Sequence, residues 1–202
     1  MNVLAALATL AVLVVPGGPV ARPGPLRTSF GDGTWTVGRG IAPGTYYTHG
    51  ATALPPRAVF SSSISCYWVR YRDFPPGPHS ALASDIVAGP DIVTVLPTDA
   101  AFQAQDCGTW RPLPRSGPRA STIGQGVYAV GTDIAPGTYT TTGRDRVLGE
   151  EGGSLCYWAR LRAFTGTPGA VIEDGYPSGP ARVTIMPSDR GFETQGCNDW
   201  EK

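Results

Sequence analysis

The chain has 202 residues, and sixteen Lys+Arg balance sixteen Asp+Glu, so it is net neutral. That balance excludes a dedicated nucleic-acid binder, which carries a basic excess, and equally an acidic solvating tail. Gly (27) and Pro (20) are abundant without a G-X-Y period, which excludes collagen. The 41% apolar fraction is too high for full disorder, so Gly and Pro punctuate many short strands. Lys202 is the single lysine among the sixteen basic residues; we read this bias as a signature of high-GC codon usage and not as a set of functional arginines.

Val3 to Val15 is an unbroken run whose only polar member is Thr9. As a helix it spans about 20 Å, too short for a hydrocarbon core of ~30 Å, and Pro16, Gly17 and Gly18 break it. It reads as the h-region of a signal peptide over residues 1–21, although no Lys or Arg precedes it. No stable membrane span is expected after cleavage, and the mature protein is expected to be secreted or held at the cell envelope.

The rest of the chain is a duplication. Val37 to Tyr46 (VGRGIAPGTY) recurs as Val130 to Tyr139 (VGTDIAPGTY), and Cys66 to Arg72 (CYWVRYR) recurs as Cys156 to Arg162 (CYWARLR). From there a constant offset maps Pro97, Asp99, Phe102, Cys107 and Trp110 onto Pro187, Asp189, Phe192, Cys197 and Trp200. The length difference falls between His49 and Ser65, which reads as a surface loop. We therefore expect β-repeat domains at 30–110 and 121–200, joined by an extended, solvated, Pro/Arg-rich linker at 111–120.

Within each copy the elements read as short strands. Gly33 to Val37 and Gly126 to Val130 come first. Ala42 to Thr45 and Ala135 to Thr138 fit a type II turn, with Pro at its second position and Gly at its third. Thr/Tyr-rich strands follow at Thr45 to Thr48 and Thr138 to Thr142. The longest strands are expected at Ser65 to Arg72 and Leu155 to Arg162. Ile92 to Leu96 and Arg182 to Met186 close the set, each stopped by Pro, and Asp99 to Phe102 and Asp189 to Phe192 have room for one helical turn. Five to seven strands in about 80 residues imply an all-β fold: two tandem, homologous small β-sandwiches or partly open barrels.

No cysteine pair has zinc or thioredoxin-like C-x-x-C spacing. Four cysteines allow three connectivities, and the duplication selects Cys66–Cys107 and Cys156–Cys197, because each copy must once have folded alone. Each bridge closes a loop that stabilises a small domain by about 4 kcal/mol in the chain-entropy model.

Alternation along the Cys-Tyr-Trp strand places Tyr67, Val69 and Tyr71 on one face, and Tyr157, Ala159 and Leu161 on its counterpart; these faces are expected to be core. The opposite faces carry Trp68, Arg70 and Arg72, and Trp158, Arg160 and Arg162. An indole between guanidiniums can form a platform for a sugar ring, an aromatic group or an anion. The competing reading is structural: Trp packs on the disulfide, as in other small sandwiches, and one Arg pairs with Asp99 or Asp189. No catalytic residue is expected. Asp85 becomes Gly175 and Asp91 becomes Ala181, and neither His49 nor His79 recurs, so no carboxylate pair, triad or metal cluster is kept by both copies. No metal or other cofactor is expected.

The pattern D-G-T-W-x-V-G…I-A-P-G-T-Y…C-Y-W-x-R…P-T/S-D…C-x-x-W resembles a repeat found singly or in tandem in secreted proteins and lipoproteins of actinobacteria. The resemblance covers nearly the whole mature chain. It implies an exported, disulfide-containing β-domain and no particular activity. The chain departs from that pattern in lacking a lipid-anchor Cys, and in having Gly40 where the second copy has Asp133. The functional expectation is a secreted, non-catalytic binding protein whose partner is a cell-wall glycan or an envelope protein. The alternatives are a structural or inhibitory secreted protein and, less favoured, an envelope-polymer hydrolase acting through Asp99 or Asp189.

Overall fold

Side-chain alternation and frequent Gly/Pro breaks give strands of two to seven residues, and a computed structural model shows them. It describes residues 25–50, 65–117, 119–144 and 155–202; the expected signal peptide and most of the loop between His49 and Ser65 lie outside them. The first repeat contains β1 (Gly33–Thr36), β2 (Gly44–Thr48), β3 (Cys66–Tyr71), β4 (Ala81–Val87), β5 (Asp91–Val95), β6 (Ala101–Gln105) and β7 (Arg111–Pro112). The second contains β8 (Thr122–Ile123), β9 (Gly126–Ala129), β10 (Gly137–Thr141), β11 (Tyr157–Leu161), β12 (Val171–Gly175), β13 (Ala181–Ile185), β14 (Gly191–Gln195) and β15 (Trp200–Glu201). The only helical element among the described residues is a 3-10 turn at Pro168–Ala170.

Each repeat is a sandwich of two antiparallel sheets. In the first repeat the sheets run β1-β6-β3-β4 and β5-β2-β7; in the second, β9-β14-β11-β12 and β13-β10-β15-β8. The equivalent of β8 in the first repeat is a single bridge between Phe30 and Trp110. Cys66–Cys107 and Cys156–Cys197 form within the repeats as expected, each at a separation of 41 residues. Phe30, Trp68, Phe102 and Trp110 pack around the first bridge, and Ile123, Tyr139, Phe192 and Trp200 around the second.

Several local expectations are corrected. Gly44 and Gly137 begin strands rather than filling the third position of a type II turn, and Gly137 has φ 151°. The kept Tyr of this motif braces the segment instead: Tyr46 Oη donates to the Ala42 carbonyl and Tyr139 Oη to that of Ala135. Asp99 and Asp189 lead from tight turns into β6 and β14, with no helical turn. The expected linker is partly built in, because Arg111–Pro112 pairs with β2 and the Leu113 amide donates to the Thr45 carbonyl.

The two repeats also pack directly against each other. Val87 and Ile92 of the first copy share one buried apolar cluster with Val127, Ala129, Ala159, Leu161 and Phe164 of the second. The Thr94 amide donates to the Phe164 carbonyl at 2.6 Å, and the Val127 amide to the Pro90 carbonyl at 2.8 Å. The backbones approach so closely that a Cβ on Gly126 would lie 2.6 Å from the Pro90 carbonyl oxygen, so only glycine fits there.

Separating the copies exposes this cluster. A fragment of residues 121–202 is therefore expected to unfold at a lower urea midpoint than the same repeat in the intact oxidised chain. Phe164→Ala in the whole chain should cost about 3–5 kcal/mol, measured by urea unfolding. A smaller defect sits in the first core: Trp200 Nε1 donates to Thr194 Oγ1, but at the matching position Ala104 leaves the buried Trp110 Nε1 without a partner among the described residues. Ala104→Thr should therefore raise stability by about 1 kcal/mol in the same assay.

Candidate binding site

The residues singled out on β3 lie on the inner side of the strand. Cys66, Trp68 and Arg70 are buried, Arg70 at 2% exposure and Trp68 at 1%, whereas Tyr67 is exposed. The expected core face holds in part: Val69 is buried, as are Ala159 and Leu161 in the second repeat, but Tyr67 is exposed and the opposite face of β3 is buried as well. The physical reason is the size of the indole and the disulfide: together they fill the core, and the guanidinium follows them inward because a carboxylate meets it there. Arg70 Nε and Nη2 donate to the two oxygens of Asp99, both at 2.8 Å. The remaining donor, Nη1, reaches the Thr165 carbonyl of the second repeat at 2.6 Å. Arg72 lies beyond the strand, in solvent.

The second repeat copies the clasp with one change. Arg160 Nε and Nη2 donate to Asp189 at 2.7 and 3.0 Å, while Nη1 donates to Glu173 at 2.8 Å. Glu173 is largely in solvent. These bonds hold the Arg160 pKa above its ordinary value. Trp158 is half-buried and stacks on Phe192, and Arg162 is exposed. The six residues therefore do not form two equivalent surface patches. Trp68 and Arg70 are enclosed, Trp158 and Arg160 are partly covered, and only Arg72 and Arg162 face solvent.

Asp99 and Asp189 are fully engaged. Beyond the arginine, one oxygen of each accepts the amide of Leu96 or Met186, closing the Pro-Thr-Asp and Pro-Ser-Asp turns. Among the described residues, no group of three or more His, Cys, Asp or Glu is placed to hold a metal ion.

The structure adds a site that the repeat pattern did not single out. A half-open cavity of about 360 Å³ lies between the two copies, walled by Trp68, Ile92, Tyr157 and Phe164. Asp85 and Glu193 also line it. Behind its wall Asp91 is fully buried, accepting from Trp68 Nε1 at 2.6 Å and from the Ile92 amide at 2.6 Å. Burial raises all three carboxyls, Asp91 well above its ordinary value and Glu193 to about 7, and neighbouring carboxylate charges reinforce the effect for Asp91 and Glu193. Burial likewise raises the Tyr157 hydroxyl. The signal for this site was present as difference rather than repetition: Asp85, Asp91 and Glu193 stand where the other copy has Gly175, Ala181 and Gln103.

The buried clasp yields a sharp test. Arg70→Gln leaves Asp99 buried without its cation and should cost about 3–5 kcal/mol of stability. Arg160→Gln should cost clearly less, because the Arg160 side chain retains 15% exposure and water can replace it. Urea unfolding of the two variants measures the difference.

Comparison with known proteins gives two matches to one family profile, described as the Rv1352-like extracellular domain, at residues 27–111 and 120–201. The uncharacterized proteins Mb1387 of Mycobacterium bovis and Rv1352 of Mycobacterium tuberculosis are each 37% identical over 82 residues, covering 38% of this chain and 67% of theirs. No solved structure matches the chain.

Proposed function

The chain belongs to the Rv1352-like extracellular domain family, and from that premise we propose that it is a non-catalytic extracellular binding protein whose ligand site is the cavity between its repeats. The observation that carries this reading is the cavity itself: it is open on one side, has aromatic walls, and draws its lining from both copies. Pockets that combine apolar walls with a few polar groups, at a boundary between domains, are where small ligands and protruding chains bind. The reading as non-catalytic is supported by the full engagement of Asp99 and Asp189, each of which accepts from both an arginine and a backbone amide. The partner chemistry we assign is an envelope component, either a cell-wall glycan or an envelope protein. The exposed Arg72 and Arg162 provide peripheral contacts.

The experiment is retention of the mature protein on cell-wall fractions and on immobilised culture-supernatant components. Ala163 lines the cavity, and Ala163→Trp fills it. Retention should fall at least about fivefold in this variant, which corresponds to about 1 kcal/mol of lost affinity, with an unchanged urea midpoint. Equal retention by wild type and variant places binding elsewhere. Loss of retention only in Arg72→Gln/Arg162→Gln assigns it to the surface arginines.

A further inference from the structure

The repeats are copies, so their interface can be compared with the surfaces that would be equivalent to it. The three acidic residues at the joint have no acidic counterpart: Asp85, Asp91 and Glu193 correspond to Gly175, Ala181 and Gln103. The matching edge strand of the second copy has its own acids, Glu173 and Asp174, where the first has Ala83 and Ser84, but the three at the joint come from both copies. Asp85 comes from β4 and Asp91 from the start of β5, and Glu193 comes from β14 of the second repeat. Gln195 bridges them, donating to Glu193 at 3.0 Å and bonding to Asp85.

Among the described residues, none of the groups that chiefly act on the three carboxyls is a lysine or arginine. β11 places Tyr157 toward Glu193, with Tyr176 and Asp174 beside it; β9 places Val127 opposite Glu193. The groove behind Asp91 holds Tyr47, His49, Tyr128 and Asp133, and His49 is exposed. The Arg70 guanidinium on neighbouring β3 is occupied by Asp99 and the Thr165 carbonyl.

We propose that the joint between the repeats is a proton-controlled clasp: the copies dock when the Asp85–Asp91–Glu193 cluster carries protons and loosen when it becomes fully ionised. Like charges that cannot be solvated or paired oppose one another in a low-dielectric joint. The sign follows from the direction of the shift. Glu193 rises from an ordinary 4.5 to about 7 when docked. Below about 4 it is protonated in both states and docking gains nothing from it. Between 4.5 and about 7 the docked state holds a proton that the undocked state has released, so docking weakens as pH rises, and above that window the penalty is complete. This behaviour concerns the joint alone and holds whatever the cavity takes.

The test is amide hydrogen exchange on the whole oxidised mature chain at pH 5 and pH 7.5, expressed as protection factors so that intrinsic chemistry cancels. The reporters are the amides of Thr94 and Val127, which bond across the joint to Phe164 and Pro90. The control is the amide of Tyr139, within the core of the second repeat. Protection at Thr94 and Val127 should fall at least about tenfold between the two pH values while Tyr139 stays constant. In Glu193→Gln the fall should be reduced, and in Asp85→Asn/Glu193→Gln nearly abolished. Unchanged protection at the two reporters in the wild-type chain overturns the proposal, as does an equal fall at all three amides, which would report global rather than local opening. The wild-type comparison decides the matter even if a variant does not fold.

Discussion

A guanidinium has five N–H donors in one rigid plane, and a buried one must place them. In this protein Arg70 directs two donor groups to Asp99 and the third to the backbone of the other repeat. The first pair fixes β3 against the turn that follows β5; the third bond fixes one repeat against the next. Around that point the joint closes. The Trp68 indole lies under Gly166, where a Cβ would come within 2.4 Å of the ring and where φ is +65°, so the residue that caps the indole has to be glycine. The indole N–H reaches Asp91, and Phe164 enters the apolar cluster shared by both copies.

The same residues in the other copy show how one motif serves two purposes. Arg160 keeps the clasp to Asp189 but sends its third donor to Glu173, at the surface. Phe74, the counterpart of the buried Phe164, is 52% exposed. Pro76 occupies the position of Gly166, so the loop that docks in the second copy cannot dock the same way in the first. The contact is head-to-tail, joining unlike surfaces of the two copies. Divergence after duplication thus produced an asymmetric pair with a cavity, an acidic cluster and a joint that neither copy contains alone.

Much of the frame was legible in the sequence because it repeats. Cys66, Cys107, Trp110 and their counterparts announced both disulfides and both cores, and strand alternation with Pro/Gly breaks announced the sandwiches. Apolarity alone misleads at β3: Val69 is buried as alternation predicts, but Tyr67 is exposed and Tyr71 half-buried, while a Trp, a half-cystine and an ion-paired Arg on the opposite face are enclosed. The strands β4, β6, β12 and β14 were not anticipated. β4 and β12 carry acidic, small and apolar residues on an edge with one hydrogen-bonded neighbour, and that composition has no clean period. The joint was illegible for a different reason. Its residues Asp85, Asp91, Glu193 and Gly166 are ones at which the copies differ, so repetition does not mark them, and tertiary contact alone reveals their common location.

The central claim is that the two repeats form one cooperative unit through this joint. Differential scanning calorimetry of the oxidised mature chain at pH 5 tests it most directly. The account predicts a single transition whose calorimetric and van't Hoff enthalpies agree. Two resolved transitions, or a calorimetric enthalpy about twice the van't Hoff value, would contradict it and return the repeats to independent domains on a string.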